Sequence, residues 1–351
     1  MIKYLSLITR RDFLKLSAAG ALGLFLSESG VDRVLADETL PASQGRALIS
    51  GVILYDSPSF TGKERKALGK DQVVPISEAL IGGENGNPYN NTWYRIGDEG
   101  YAYSGWLQPV ETIYQKPHFV IHEGGQLGEI TVPYSISRLY PNVWSNNSYR
   151  LYYQTTHWIR KTIVNREQKS IWYELYDFYL RSSYYVPAYE MRIVPDEELA
   201  PLSPDVPEAL KSIHVDLSTQ TVTAFEGNNP VLVARCATGA GATTTPVGDF
   251  LTYHKGPSIH MTNQGDVEIG AYDLPGVPWV SFFTGTGVAF HGTYWHNDYG
   301  RPLSRGCVNL RSEDAKFIYR WTKPVVPPET DYLNLPGQGT TVQVTGSTPK
   351  N

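Results

Sequence analysis

Two cysteines stand in this 351-residue chain, and their surroundings differ. Cys236 lies in an apolar stretch, LVARCATG, that reads as core. Cys307 lies in RPLSRGCVNLR (301–311), with a glycine directly before it and polar side chains around it, which is poor core material. Sixteen residues upstream, in FHGTYWHNDYG, stands His291. A thiol attacks acyl groups as thiolate, and its free pKa of about 8.5 leaves only a few per cent ionised at neutral pH. A neighbouring imidazole can take that proton and later return it to a leaving amine. A strand ending in His291, a loop marked by Gly300 and Pro302, and a turn carrying Cys307 would bring the two together. Gly306 would let the backbone approach a substrate carbonyl, with nearby N–H groups as an oxyanion hole.

Other chemistries compete for the same residues. A Cys236–Cys307 disulfide suits an exported chain but would join a strand interior to a Gly-Cys turn. A zinc site from His291, His296 and Cys307 lacks the close paired spacing of such sites. An inert buried thiol is the ordinary fate of cysteine; Cys236 fits it, and SRGCVNLR is too polar for it. The run GAGATTTPVGDF is not a phosphate loop, because it has no Gly-Lys-Ser/Thr and opens a strand.

The elements that must position these residues are mainly strands. The chain holds 24 Tyr, 8 Trp, 24 Pro and 32 Gly, a mix that favours short strands and frequent turns over long helices. Its 41% hydrophobic content supports a packed core, and a net charge of −5 without a dense Lys/Arg run speaks against a nucleic-acid surface. Residues 1–36 read as an export leader: Arg10-Arg11 precede Phe13-Leu14-Lys15, an apolar run Leu16–Leu26 follows, and Val34-Leu35-Ala36 offers a cleavage site before Asp37. That run is too short to span a bilayer. Export through the twin-arginine route to the cell envelope is expected, with membrane anchoring if the leader stays uncleaved.

Two stretches repeat each other. TWYRIGDEGYAYSGWL (92–107) and IWYELYDFYLRSSYYV (171–186) align without a gap, matching Trp93 to Trp172, Tyr94 to Tyr173, Asp98 to Asp177 and Trp106 to Tyr185. Trp and Tyr in units this small are expected to fill the core rather than form a glycan strip. The acidic, proline-rich 196–209 reads as a linker. Beyond it SIHVDLS, QTVTAFEG, VLVARCATG and TTVQVTG alternate as strands. One helix is expected, capped by Ser312, with Glu313 and Asp314 in its first turn, closing at Lys323-Pro324.

On these residues the chain resembles a known family. HG…Y-G-x-P-x-S-x-G-C-V-N with TPVGDF upstream, over about 210–346, is similar to the catalytic domain of peptidoglycan L,D-transpeptidases, the YkuD-like family. Residues 44–115 resemble a bacterial SH3-like domain, and 116–195 a second, diverged copy. The implied architecture is mainly β: tandem SH3-like barrels, then a β-rich catalytic domain (210–346) with one or two short helices. The resemblance implies Cys307 as nucleophile, His291 as base, and Gly292 as the residue whose carbonyl orients the imidazole. Ser304, Gly306 and Asn309 match the rest of the signature, and Arg305 stands where the family usually has a second histidine. Substrate contacts are expected from Ser304, Arg305, Gly306, Asn309, Arg311, Tyr294 and His260. The implied reaction is attack on a stem tetrapeptide, release of D-alanine and transfer to the side-chain amine of a neighbouring stem. No metal or organic cofactor is implied. The implied partners are peptidoglycan stem peptides and glycan strands, with the export machinery and without nucleic acid. The alternatives are an L,D-carboxypeptidase that hydrolyses the same thioester and a non-catalytic wall-binding protein.

Overall fold

The computed structural model describes residues 43–82, 90–263 and 272–349; the leader read over 1–36 lies outside them. Within the described residues the chain forms five sheets and one α-helix.

The first unit pairs a three-stranded sheet, with Gln44–Ala47 between Val73–Pro75 and Leu107–Val110, with a five-stranded one. Strand alternation puts Val52, Leu54, Leu68, Ile96 and Leu107 in its interior. Tyr55, Trp93 and Tyr103 pack as a second cluster with Phe60 and Trp106. The following unit is a single seven-stranded sheet built around Ile130, Leu151, Ile159, Tyr173, Leu175 and Val186. Trp93 and Trp172, each 2% exposed, are core residues.

The repeat is visible as a shared order of hairpin, 3-10 turn and strand. Thr92–Ile96 and Gly100–Tyr103 lead into Ser104–Trp106, and Ser170–Asp177 and Ser182–Pro187 lead into Ala188–Glu190. The offset of 79 at Trp93/Trp172 has grown to 84 at Ser104/Ala188, because the second hairpin has longer strands. The gap-free pairing of Trp106 with Tyr185 therefore fails: Trp106 ends a 3-10 turn, and Tyr185 lies within a strand.

Segment 196–209 holds two 3-10 turns, Asp196–Glu198 and Glu208–Leu210. It lies fastened along the helix rather than swinging free. Leu199 is buried in the core of the last domain, Leu202 N–H donates to Arg320 O (3.0 Å), and Glu198 pairs with both Arg192 (2.7 Å) and Lys316.

The last domain packs two five-stranded sheets and the helix around one core. In the first sheet, Lys211–Asp216 lies between Thr221–Glu226 and a parallel Thr341–Thr345. In the second, the order is Val308–Leu310, Ala289–Gly292, Asp273–Phe282, His254–Thr262, Leu333–Asn334. Ile213, Val215, Val222, Val342 and Val344 from one sheet meet Phe290, Val308 and Leu310 from the other, with Ala315, Ile318 and Trp321 of the helix. The helix runs Ser312–Trp321, starting one residue earlier than a Ser312 cap requires. Arg311 holds the extended cap dihedrals (φ −60°, ψ 150°), so Ser312 is already inside the first turn and makes no capping bond.

The three parts meet at a buried arginine. Arg46 donates to Asp71 Oδ1 (2.6 Å), to Gln108 Oε1 (2.6 Å) and to the carbonyl of Tyr294 in the last domain (2.6 Å). Tyr152 of the middle unit lies under its guanidinium at 4.1 Å, and Arg150 of the same unit pairs with Asp71 from the outer side.

Candidate active site

The site is built on two neighbouring parallel strands. Ala289–Gly292 pairs with Val308–Leu310 in the register Phe290–Val308, His291–Asn309, Gly292–Leu310. Side chains alternate along a strand and register partners share a face. Phe290, Val308 and Leu310 therefore point into the core, while His291 and Asn309 point the other way, as does Cys307 two residues before Asn309. Cys307 and His291 are diagonal neighbours on that outer face.

The turn delivering Cys307 is held by side chains. Ser304 Oγ donates to Cys307 O (2.5 Å) and accepts from Gly306 N–H (3.1 Å). Thr245, in TPVGDF, donates to Gly306 O (2.7 Å) and accepts from Gly239 N–H (2.9 Å). Gly306 has φ +117°, a conformation that a residue with a Cβ adopts only under strain. Its N–H is engaged by Ser304 and so is not an oxyanion donor.

His291 is buried, and its Nδ1 lies 3.0 Å from Gly292 O. A carbonyl only accepts, so Nδ1 carries the proton and the Nε2 lone pair is left as the base. Trp295 lies against the ring with centroids 5.6 Å apart. Burial pushes His291 down to about 4, against a smaller opposing pull from the Gly292 carbonyl. The Cys307 thiol is half-buried beside Ala289 and packs on the apolar cluster of Val277, Val280, Ala289 and Tyr294. Burial raises it to about 11, opposed by the N–H of Ala289. The resting pair is thus neutral thiol and neutral imidazole. Acylation by this pair is expected to stay flat between about pH 5 and 9, and iodoacetamide without substrate should label Cys307 slowly at pH 7. A stopped-flow pH series checks both; fast alkylation with a plateau from pH 5 would show a preformed thiolate instead.

His296 is half-buried, and its Nδ1 accepts from Asp298 N–H (3.3 Å). Its Nε2 must then carry the proton, and it meets the Asn309 amide at 2.8 Å. A half-turn of that amide presents Oδ1 as the acceptor. With both nitrogens engaged, His296 is not available to a metal. Cys236 is fully buried in the core, where burial drives its thiol far up, and both cysteines are free.

The remaining expected contacts fall in different places. Ser304 is buried, with its hydroxyl spent on the turn. Tyr294 is buried, stacked on Tyr152 (5.2 Å), with its hydroxyl donating to Pro275 O (3.2 Å), so it joins domains. His260 lies between two carboxylates, Asp177 Oδ2 of the middle unit (2.7 Å) and Asp273. Burial pulls its pKa down, but the two carboxylates outweigh that and raise it, and the histidine ties the middle unit to the last domain. Arg311 lies near Glu313 and Asp314 at the helix start, over the Tyr299 ring (6.0 Å). Arg305 is exposed, over the Tyr272 ring at 5.2 Å, and Tyr272 lies close enough to feel the Cys307 charge. Of the expected substrate contacts, Arg305 alone joins an exposed position to the neighbourhood of the thiol. Thr245 went unread as a site residue, although it stands in the TPVGDF signature.

Residues 210–344 match the family model of the L,D-transpeptidase catalytic domain, YkuD. No curated protein matches the chain. Among solved structures, an L,D-transpeptidase from Stackebrandtia nassauensis is 23% identical over 44% of this chain and 66% of its own, with a TM-score of 0.31. A mutant L,D-transpeptidase from Enterococcus faecium is 22% identical over 38% of this chain and 49% of its own, with a TM-score of 0.31. An L,D-transpeptidase from Mycobacterium smegmatis is 19% identical over 47% and 74%, with a TM-score of 0.32. The chain spans about half the length of the Enterococcus faecium protein. Residues 210–344 are thus similar to the catalytic domain of L,D-transpeptidases of the YkuD type.

Proposed function

We propose that the chain is an exported, cysteine-dependent L,D-transpeptidase that cross-links peptidoglycan stem peptides. The observation that carries this reading is the shared outer face of Cys307 and His291, with Nδ1 committed to Gly292 O and Nε2 left to act on the thiol. The Cys307 sulfur attacks the carbonyl carbon of the third stem residue as Nε2 takes the thiol proton. The tetrahedral intermediate collapses, His291 gives that proton to the departing D-alanine nitrogen, and a thioester remains. A side-chain amine of a neighbouring stem attacks the thioester, His291 receives its proton, and the thiol is regenerated.

Export rests on Arg10-Arg11 and the apolar run after them. The two N-terminal units, read as SH3-like, would meet glycan strands in the wall, and Trp144 (85% exposed) and Tyr140 (67%) offer the aromatic surface for it. The test is mass spectrometry of residues 37–351 with disaccharide tetrapeptides, beside Cys307→Ala. The expected result is a cross-linked dimer with loss of D-alanine, absent from the variant. D-alanine loss without dimer would convert the reading to a carboxypeptidase, and no Cys307-dependent product would leave a wall-binding protein.

A further inference from the structure

We propose that Asp298 is a positioning residue for acyl transfer, through which the first unit (43–110) holds the loop that walls in His291. The catalytic consequence rests on the reading of Cys307 and His291 given above; the geometry does not.

The loop after Gly292 is tied to its own domain at both ends: Thr293 N–H donates to Leu310 O (3.1 Å) and Gly300 N–H to Cys236 O (2.8 Å). Between them its fixings come largely from the first unit. Asn297 Nδ2 donates to Ser104 O (3.2 Å), and Arg46 holds the carbonyl of Tyr294. Asp298 is the central fixing and is 2% exposed. Its Oδ1 accepts from Tyr103 OH (2.7 Å) and from Asn90 Nδ2 (3.1 Å), both in the first unit, while Oδ2 pairs with Arg301 (2.5 Å). A Cβ on Gly105 would come within 2.8 Å of Asp298 Cγ, so only glycine lets the first unit approach this closely.

The other end of Asp298 faces the chemistry. Its N–H donates to His296 Nδ1, which fixes the proton on Nε2 and aims it at Asn309, the register partner of His291. Trp295, one residue before His296, covers the His291 ring. A loosened Asp298 would release His296 and Trp295 together and admit water to the base. Of the titratable groups near His291, His296 interacts with it and with Arg301, and Cys307 shares its strand face. Water at His291 would raise its depressed pKa toward the ordinary histidine value.

The experiment uses the full chain with ring-labelled histidine. His291 is titrated by NMR in wild type, Tyr103→Phe, Asp298→Asn and the double variant, and the pH dependence of D-alanine release is measured in parallel. Tyr103→Phe removes one hydroxyl at the junction and leaves its aromatic packing in place. Both single variants are expected to raise the His291 titration by about one unit or more and to move the acid limb of kcat/KM with it. For a one-unit rise the rate at pH 5 should fall about twofold, with KM little changed. The double variant should be no worse than Asp298→Asn, because Tyr103 acts through that carboxylate. A lower melting temperature with an unmoved His291 titration would overturn the proposal and leave a structural junction. Absence of D-alanine release in wild type, with the NMR shift present, would sink the enzymatic reading and leave the positioning geometry intact.

Discussion

His291→Gln is expected to lower D-alanine release at pH 7 by about 10²–10⁴-fold, with the fold preserved. The size follows from the state of the nucleophile. With the Cys307 thiol raised to about 11, the spontaneous thiolate fraction at neutral pH is on the order of 10⁻⁴, so a site without its base draws on almost none. On the proposed mechanism wild type avoids that limit, because Nε2 takes the proton within the attack. The variant should therefore regain rate about tenfold per pH unit up to roughly pH 10, where wild type is flat. Steady-state rates from pH 6 to 10 check this. A variant that is slow but equally flat would show that the thiolate forms without His291, and the assignment of the base would fall. Glutamine keeps a polar group beside Gly292 O, and near-ultraviolet circular dichroism separates lost chemistry from lost packing.

Arg46→Met should destabilise the assembled chain by about 3–5 kcal/mol, the cost of leaving a buried charge without its partner. Arg46 and Asp71 have side chains only 2% and 4% exposed. Removing the guanidinium leaves Asp71 to Arg150 on its outer side and strips Gln108 Oε1 and the Tyr294 carbonyl of their donor. In urea the unfolding midpoint should fall by more than about 1 M. Replacing Arg46 and Asp71 together by Met and Leu should cost less than Arg46→Met alone, since no uncompensated charge then stays inside. A loss below about 1 kcal/mol would mean that water reaches this junction. Because Arg46 also holds Tyr294, one residue from Trp295, activity should decline with stability in the same variant.

Several of the sequence expectations were local, and local physics carried them. Alternation in SIHVDLS, QTVTAFEG and TTVQVTG marked strands because a strand beside a core must bury every second side chain. Cys307 stood out because a thiol between glycine and polar residues has no packing reason to be there. Its distance from His291 fitted a strand, a loop and a turn. In segment 196–209 proline-rich composition excludes long elements without excluding contact, and Leu199 and Glu198 found partners in the last domain.

What the sequence by itself determined is the strand-rich architecture and the doubled hairpin unit. Tertiary structure alone decided where the polar side chains went. His260 looked ready for substrate and lies between Asp177 and Asp273, 83 and 13 residues away. Ser304 looked like a contact and is spent on the turn. Tyr103 and Asp298 meet across 195 residues, and Arg46 reaches Tyr294 across 248. A hydrophobic residue needs only an interior, which periodicity reveals. A buried polar group needs one particular partner at hydrogen-bond distance, and nothing in its own neighbourhood along the chain says which partner the fold will bring.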